Sequence, residues 1–396
     1  MKEHRKTPSR NQFGFSLIEL LVYLAILGVL MSAVVISFTT TMKQTVQQSN
    51  IAGTQIETGV GVEFLRADLE HAGFGLYWQQ SGVPNPYFEP LNSSFNPGAD
   101  TLLTPLADVP NVPKAFSSSD ALGVTPFISL NDSDYLVIRA TNVIRGITGQ
   151  KWGYVGRDTA HLPAVQSLSS DTFTNTDGVI VILPEIGPGQ YRQLVLDTVN
   201  PNYITNPTSA AMTSFAPSAT PNDPDGVKHL VYGLNDSTSV RRPFNRTDYY
   251  ISDANVPTHC APNTGVLVKA TVLQSADTFD IMPIIDCVAD FQVVYHLDNG
   301  TGVQTSANAN GLNGLTAEQI RDQVKSVQCY ILIHEGGIDR SYIYPNASIN
   351  VGEVAADGVT LVAGRSFPLS TTILGGNWAN YRWKVVSMAV TPKNLK

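Results

Sequence analysis

Residues Gly14 to Phe38, GFSLIELLVYLAILGVLMSAVVISF, form an apolar run broken by one carboxylate, Glu19, and preceded by a short basic leader. The 24 residues from Phe15 to Phe38 span roughly 36 Å at ~1.5 Å per helical residue, enough to cross a bilayer. Length and composition therefore predict a membrane anchor. In the leader, Lys2, Arg5, Lys6 and Arg10 against Glu3 leave a net +3. Positive flanks stay cytoplasmic, which places the remainder of the chain outside.

An ordinary secretory signal puts its small-residue cleavage site after the apolar run. Here the best candidate, Gly14, comes before it, so cutting there keeps the anchor. A carboxylate in a membrane helix costs on the order of 2 to 3 kcal/mol on insertion scales and marks a partner, naturally a positive charge at similar depth. With Gly14, Phe15 and Glu19 at these positions, the chain resembles the class III signal of type IV prepilins and pseudopilins. That resemblance implies that a prepilin peptidase cleaves after Gly14 and methylates the amine of Phe15. It also implies that Glu19 pairs with the terminal amine of a neighbouring subunit. Two half-buried opposite charges would relieve each other's desolvation, whereas removing one strands the other.

No proline follows Phe38 until Pro84, so one helix is expected from Phe15 to about Ala72, with Gly73 as its stop. In its second half Ile56, Val60, Phe64, Leu65 and Leu69 predict a core-facing stripe. Glu63, Arg66 and Glu70 lie opposite, and Glu57 and Asp68 interrupt the pattern. Gly53, Gly59 and Gly61 weaken the helix by on the order of 1 kcal/mol each. They fit either a bend or a close approach of sheet to glycine.

The chain of 396 residues carries −8, and −11 without its leader. That acidity opposes generic phosphate binding, leaving only the local group Arg241, Arg242 and Arg246, and no nucleic-acid partner is expected. Low charge density with many Gly, Pro, Ser, Thr and Asn predicts β-structure joined by long loops. Residues 81 to 134 read mostly as loop around TLLTPL. Strand-like runs follow at 134–140, 178–184, 190–199, 229–234 and 247–252. Further on, GVLVKATVL reads as a strand, DIMPIIDCVADF as a short turn or helix, and FQVVYHLD as a strand ending in the turn NGTG. Thr316 and Gln319 form a capping-box pattern before a helix, QCYILIHEG is a strand, and YRWKVVSMAVTP closes the fold.

The second half sharpens the resemblance. Pro283 to Asp298, FLRADLEHAGFG (Phe64 to Gly75), TDYYIS, and Lys393, Asn394 and Leu395 are similar to PilW-type minor pilins. Two departures stand out. Relatives carry an Asp-rich turn where LDNGTG keeps Asp298 and Asn299, which argues against calcium there. Lys393 stands where Arg is expected, a mild change for a surface charge but not for a bidentate contact.

Cys260, Cys287 and Cys329 would lie in an oxidising compartment, so one disulfide and one thiol are expected. Cys260 with Cys287 is the favoured pairing, and the two others stay open. Cys329, in the strand-like VQCYILIH, reads as buried and unpaired. His334-Glu335-Gly336-Gly337-Ile338 lacks the second histidine of a zincin, and His259, His296 and His334 have no metal-ligand spacing. No GxSxG, Walker loop or strand-linked GxGxxG occurs. No enzyme activity, cofactor or metal is expected.

The expected fold is α+β: a long N-terminal helix, half transmembrane and half amphipathic, packed on a large antiparallel β domain with long loops. The expected divisions are a leader at 1–14, helix halves at 15–38 and 39–80, a loop-rich β insertion at 81–228 and a C-terminal β domain at 229–396. The expected function is a minor pilin of a type IV pilus tip or priming complex, with adhesion or motility as further roles. Its partners would be the prepilin peptidase, other minor pilins, the major pilin, the inner-membrane assembly platform and a large tip adhesin. Before assembly it would be a single-pass protein of the bacterial inner membrane with a periplasmic C-terminal domain, and afterwards it would lie at the pilus tip. The alternatives are a J-type minor pseudopilin of a type II secretion system, or a membrane-tethered binding protein or hydrolase.

Overall fold

The computed structural model describes residues 16–80, 112–120, 123–124, 127–128, 130–185, 187, 192–197, 202–218, 228–275 and 278–395. The leader, the Gly14–Phe15 junction and TLLTPL lie outside them. The chain divides into two compact units, Met1–Ala52 and Gly53–Lys396. Helix α1, Leu17–His71, runs unbroken for 55 residues and contributes to both. It is followed by Gly73 at φ +82, whose N–H donates to Arg139 O at 3.0 Å.

Within the second unit, α1 buries Thr54, Thr58, Gly61, Val62, Leu65, Asp68 and Leu69. Three- and four-residue steps put these on one face. The expected stripe is corrected in part: Leu65 and Leu69 are buried, but Ile56, Val60 and Phe64 are 71%, 54% and 46% exposed. The reason lies in Gly61, where an added Cβ would sit 2.3 Å from Ile284 O and 2.5 Å from Ile285 Cγ1. Backbone meets backbone at that point, and this contact sets which side of the helix faces the sheet. Around Gly53 and Gly59 the space is open. Close approach therefore accounts for Gly61 but not for the other two.

Opposite responses are expected from these glycines. Gly59→Ala should stabilise the protein by ~0.5–1 kcal/mol through helix propensity. Gly61→Ala should destabilise it by ~1–3 kcal/mol through overpacking. Thermal melts of the two variants measure this, and shifts of the same sign would contradict the packing described.

The larger sheet has eight strands. Its order is Arg382–Val390, Val324–Glu335, Phe279–Asp298, Gly265–Val272, Asn245–Ser252, Tyr135–Ala140 and Phe116–Ser119, with Gln304–Asn308 added to the Phe279–Asp298 strand. Every pairing in it is antiparallel. Phe279–Asp298 is one strand of 20 residues, where the sequence suggests a turn or helix over DIMPIIDCVADF. Three register slips break the period-two alternation over this stretch: between Pro283 and Ile285, between Ile285 and Val288, and between Val288 and Asp290. Pro283, which has no N–H to donate, sits beside the first slip. Ile284, the extra residue there, is the one whose carbonyl meets Gly61.

A second sheet orders Gln79–Gln80, Gln193–Leu194, Gly178–Leu183, His229–Asn235, Trp152–Arg157 and Pro163–Ser167, with Ile204–Thr205 on Gly178–Leu183. Of the expected strand at 190–199, only Gln193–Leu194 is strand among the described residues. Segments on both sides of residue 228 contribute to each sheet. Phe116–Ser119 and Tyr135–Ala140 belong to the first, and His229–Asn235 to the second. One core joins Leu65, Leu69, Leu136, Ile180, Tyr232 and Phe291. The packing thus makes no division at 228. The architecture is α+β, a long N-terminal helix followed by a large, mostly antiparallel β domain.

Helix α2, Ala317–Gln323, begins with the capping box read from the sequence. Gln319 N–H donates to Thr316 Oγ1 at 3.1 Å and Thr316 N–H to Gln319 Oε1 at 2.8 Å.

Candidate functional site

From Leu17 to Phe38 every side chain is exposed except that of Leu27, which is half-buried. Leu17 and Ile18 are 82% and 70% exposed. This stretch is long and apolar enough to cross a membrane. Within and just beyond it hydroxyls turn back onto the helix: Ser32 donates to Val29 O at 2.8 Å, and Thr40 to Ile36 O at 2.8 Å. Downstream, Thr41 donates to Ser37 O at 2.9 Å. Such internal bonds leave fewer donors facing an apolar environment.

Glu19 lies at the start of this helix. Its Oε2 accepts from Ser16 N–H at 3.0 Å, while Ser16 Oγ accepts from Ile18 N–H at 3.3 Å. Ser16 and Glu19 therefore cap α1 reciprocally, and the carboxylate faces the positive end of the helix dipole. The Ser-x-x-Glu spacing at 16–19 carries this signal in the sequence. Gly14 and Phe15 fall outside the described residues.

In the second unit, α1 is fixed by charge as well as by packing. Asp68, which interrupts the apolar pattern, is 7% exposed. Its Oδ2 lies 2.5 Å from Lys269 Nζ and accepts from Tyr249 OH at 2.5 Å. Burial pushes the Asp68 carboxyl up, and Lys269 and Tyr249 pull it back. Near the helix end, Lys393 Nζ pairs with the Glu70 carboxylate, and Lys393 N–H donates to Glu70 O at 2.9 Å. This single-point contact of an exposed Lys suits Lys and Arg alike. Leu395 Cδ2 closes on Gly73.

Cys260 and Cys287 form a disulfide across 27 residues, and Cys329 is a buried thiol. His259 lies within 4.8 Å of both bonded sulfurs. A disulfide offers no thiolate, so as it stands the group cannot hold zinc through its cysteines. His296 pairs instead with Glu353 at 3.2 Å. Asp298 Oδ1 accepts from Gly300 N–H at 2.9 Å and Gly302 N–H at 3.1 Å, closing the NGTG turn. The arginine group is not a basic surface patch: Arg242 and Arg246 are buried, and Arg246 is paired with Asp248 at 2.8 Å.

His334 is buried. Its Nε2 accepts from Ala261 N–H at 2.9 Å and its Nδ1 donates to Gly336 O at 3.0 Å, partners that fix a neutral tautomer. Burial pushes its imidazole down to about 4. The unfolded chain takes up this proton near pH 6.5, so the stability due to neutral His334 is complete above that pH and is lost as pH falls toward about 4. Unfolding free energies at pH 7 and pH 4.5 should differ by up to ~3 kcal/mol from this group. In His334→Gln that share of the difference should vanish, and an unchanged pH dependence in denaturant titrations would refute it.

A family model described as "Prokaryotic N-terminal methylation motif" matches residues 9–35. The match takes in Gly14, Phe15 and Glu19 and runs into the exposed helix. Comparisons with curated proteins and with solved structures found no match. The motif marks this N-terminus as type IV pilin-like, of a pilus or a pseudopilus.

Proposed function

We propose that this chain is a minor pilin of PilW type, acting in the priming or tip complex of a type IV pilus. The observation that carries the reading is the coincidence of the methylation motif at 9–35 with an apolar helix whose side chains stand exposed from Leu17 to Phe38. Cleavage after Gly14 leaves Phe15 as a methylated N-terminus, one residue before the Ser16–Glu19 cap. Helix α1 then passes from the inner membrane into an assembly with other minor pilins and the major pilin, with Glu19 facing a neighbour's terminal amine. A large β domain suits a low-copy terminal position better than a repeating one, and its loops are then free to meet an adhesin or a surface.

The test has two arms. Sheared filaments should contain the protein in small amount, and mass spectrometry should give an N-methylated Phe15 start. Deleting the gene should abolish piliation. Intact piliation with lost protein secretion would move the protein to a pseudopilus, and functional filaments carrying a chain that still begins at Met1 would refute the reading.

A further inference from the structure

Cys260 lies in the loop between strands Asn245–Ser252 and Gly265–Val272, and Cys287 lies within the strand Phe279–Asp298. Their disulfide joins that loop to the larger sheet. A third donor stands with them: a ring nitrogen of His259 and the two sulfurs all lie within 4.8 Å of one another. His259 is exposed, whereas Cys260 and Cys287 are buried. Among the described residues no hydrogen bond reaches the His259 ring. The nearby His334 does not compete as a donor, because Ala261 N–H and Gly336 O occupy both of its nitrogens.

The backbone at both cysteines stands apart from the ladders. Cys287 has φ +56, a left-handed conformation that non-glycine residues rarely adopt. It falls in the slip between Ile285 and Val288, and it pairs with neither neighbouring strand. Cys260 sits in a turn, where its N–H donates to Pro257 O at 3.1 Å. Either side chain can therefore rotate without breaking a ladder pair. A tetrahedral Zn2+ at ~2.3 Å from each sulfur would hold the two sulfurs roughly 3.7 Å apart. Side-chain rotation reaches that separation from Cα atoms that are 5.0 Å apart.

We propose that the reduced form of Cys260 and Cys287, together with His259, binds one Zn2+. The join between loop and sheet is then a disulfide when oxidised and a metal clasp when reduced. Reduction draws two electrons and two protons from an external dithiol, which closes to its own disulfide as the Cys260–Cys287 bond breaks. Zn2+ next displaces the two thiol protons to solvent and is held by two thiolates, a neutral imidazole and a water on the exposed side. The charges of the ion and the two thiolates cancel, so no net charge is buried beside Cys287. Sulfur and nitrogen donors disfavour Ca2+ and Mg2+. The sequence hides the set because Cys287 is 27 positions from Cys260. This inference does not rest on the assembly role proposed above.

The full-length protein in detergent is reduced with a water-soluble phosphine, desalted without oxygen and titrated with Zn2+ and with Co2+. The reduced protein should bind one ion per chain, and Co2+ should give the thiolate charge-transfer absorption of a cysteine-ligated site. Zn2+ should also raise the melting temperature of the reduced protein, whereas the oxidised protein should show neither response. His259→Ala keeps the disulfide and changes an exposed residue, so it folds in the oxidised form. Once reduced, it should bind at least tenfold more weakly. His296→Gln should bind like the parent. If reduction alone unfolds the chain, Zn2+ should restore a cooperative melt. A reduced parent with no thiolate absorption and no thermal response to Zn2+ would overturn the site. So would binding unchanged in His259→Ala or lost in His296→Gln.

Discussion

Asp68→Ala should lower the unfolding free energy by about 3–5 kcal/mol, because it leaves the Lys269 ammonium buried without a counter-charge. Lys269 is 6% exposed and has Asp68 Oδ2 at 2.5 Å. Tyr249 OH loses its acceptor in the same step. Removing both charges at once should cost far less than removing either, since a buried ion pair can be replaced by apolar groups at little net expense. The double variant Asp68→Leu/Lys269→Met therefore separates pairing from packing, and denaturant titration of the three proteins gives the coupling directly. If the single and double variants lose equal stability, the ion pair is not what holds this part of α1 to the sheet.

Glu19→Ala should leave peptidase processing intact and reduce incorporation into filaments at least tenfold, a change that corresponds to about 1.4 kcal/mol or more per contact. The substitution removes the acceptor of Ser16 N–H as well as the charge that the proposed assembly would offer to a neighbour. Glu19→Gln distinguishes the two roles, since the amide oxygen can still cap Ser16 but carries no charge. Should Glu19→Gln assemble like the parent while Glu19→Ala fails, capping and not charge is what assembly requires. Quantitative immunoblots of sheared and cell-bound fractions, with the N-terminus verified by mass spectrometry, decide the matter.

Much of this molecule is legible in its sequence where the controlling interactions are short in range. The apolar helix, its end near Gly73 and the Thr316–Gln319 cap are set by residues within a few positions of one another. So is the Ser16–Glu19 cap, whose spacing carries the signal. Elements fixed by distant partners are harder to read. The apolar helix positions do not say which side packs, because Gly61 chooses the buried face through Ile284, a bulge residue on another element. Asp68 reads as an interruption of the stripe because its partner Tyr249 lies 181 positions away. The strand Phe279–Asp298 is hidden because three register slips and Pro283 spoil the alternation by which strands announce themselves.

The contact between Lys393 and Glu70 joins residues 323 positions apart. Helix α1 is among the earliest segments synthesised, whereas the residues that cover its far end leave the ribosome much later. The seam at Glu70 and Gly73 therefore stays open until almost the whole β domain is available to fold. Folding is ordered by this delay: the helix is made first, and the last stitch on it is tied only after everything in between has been synthesised.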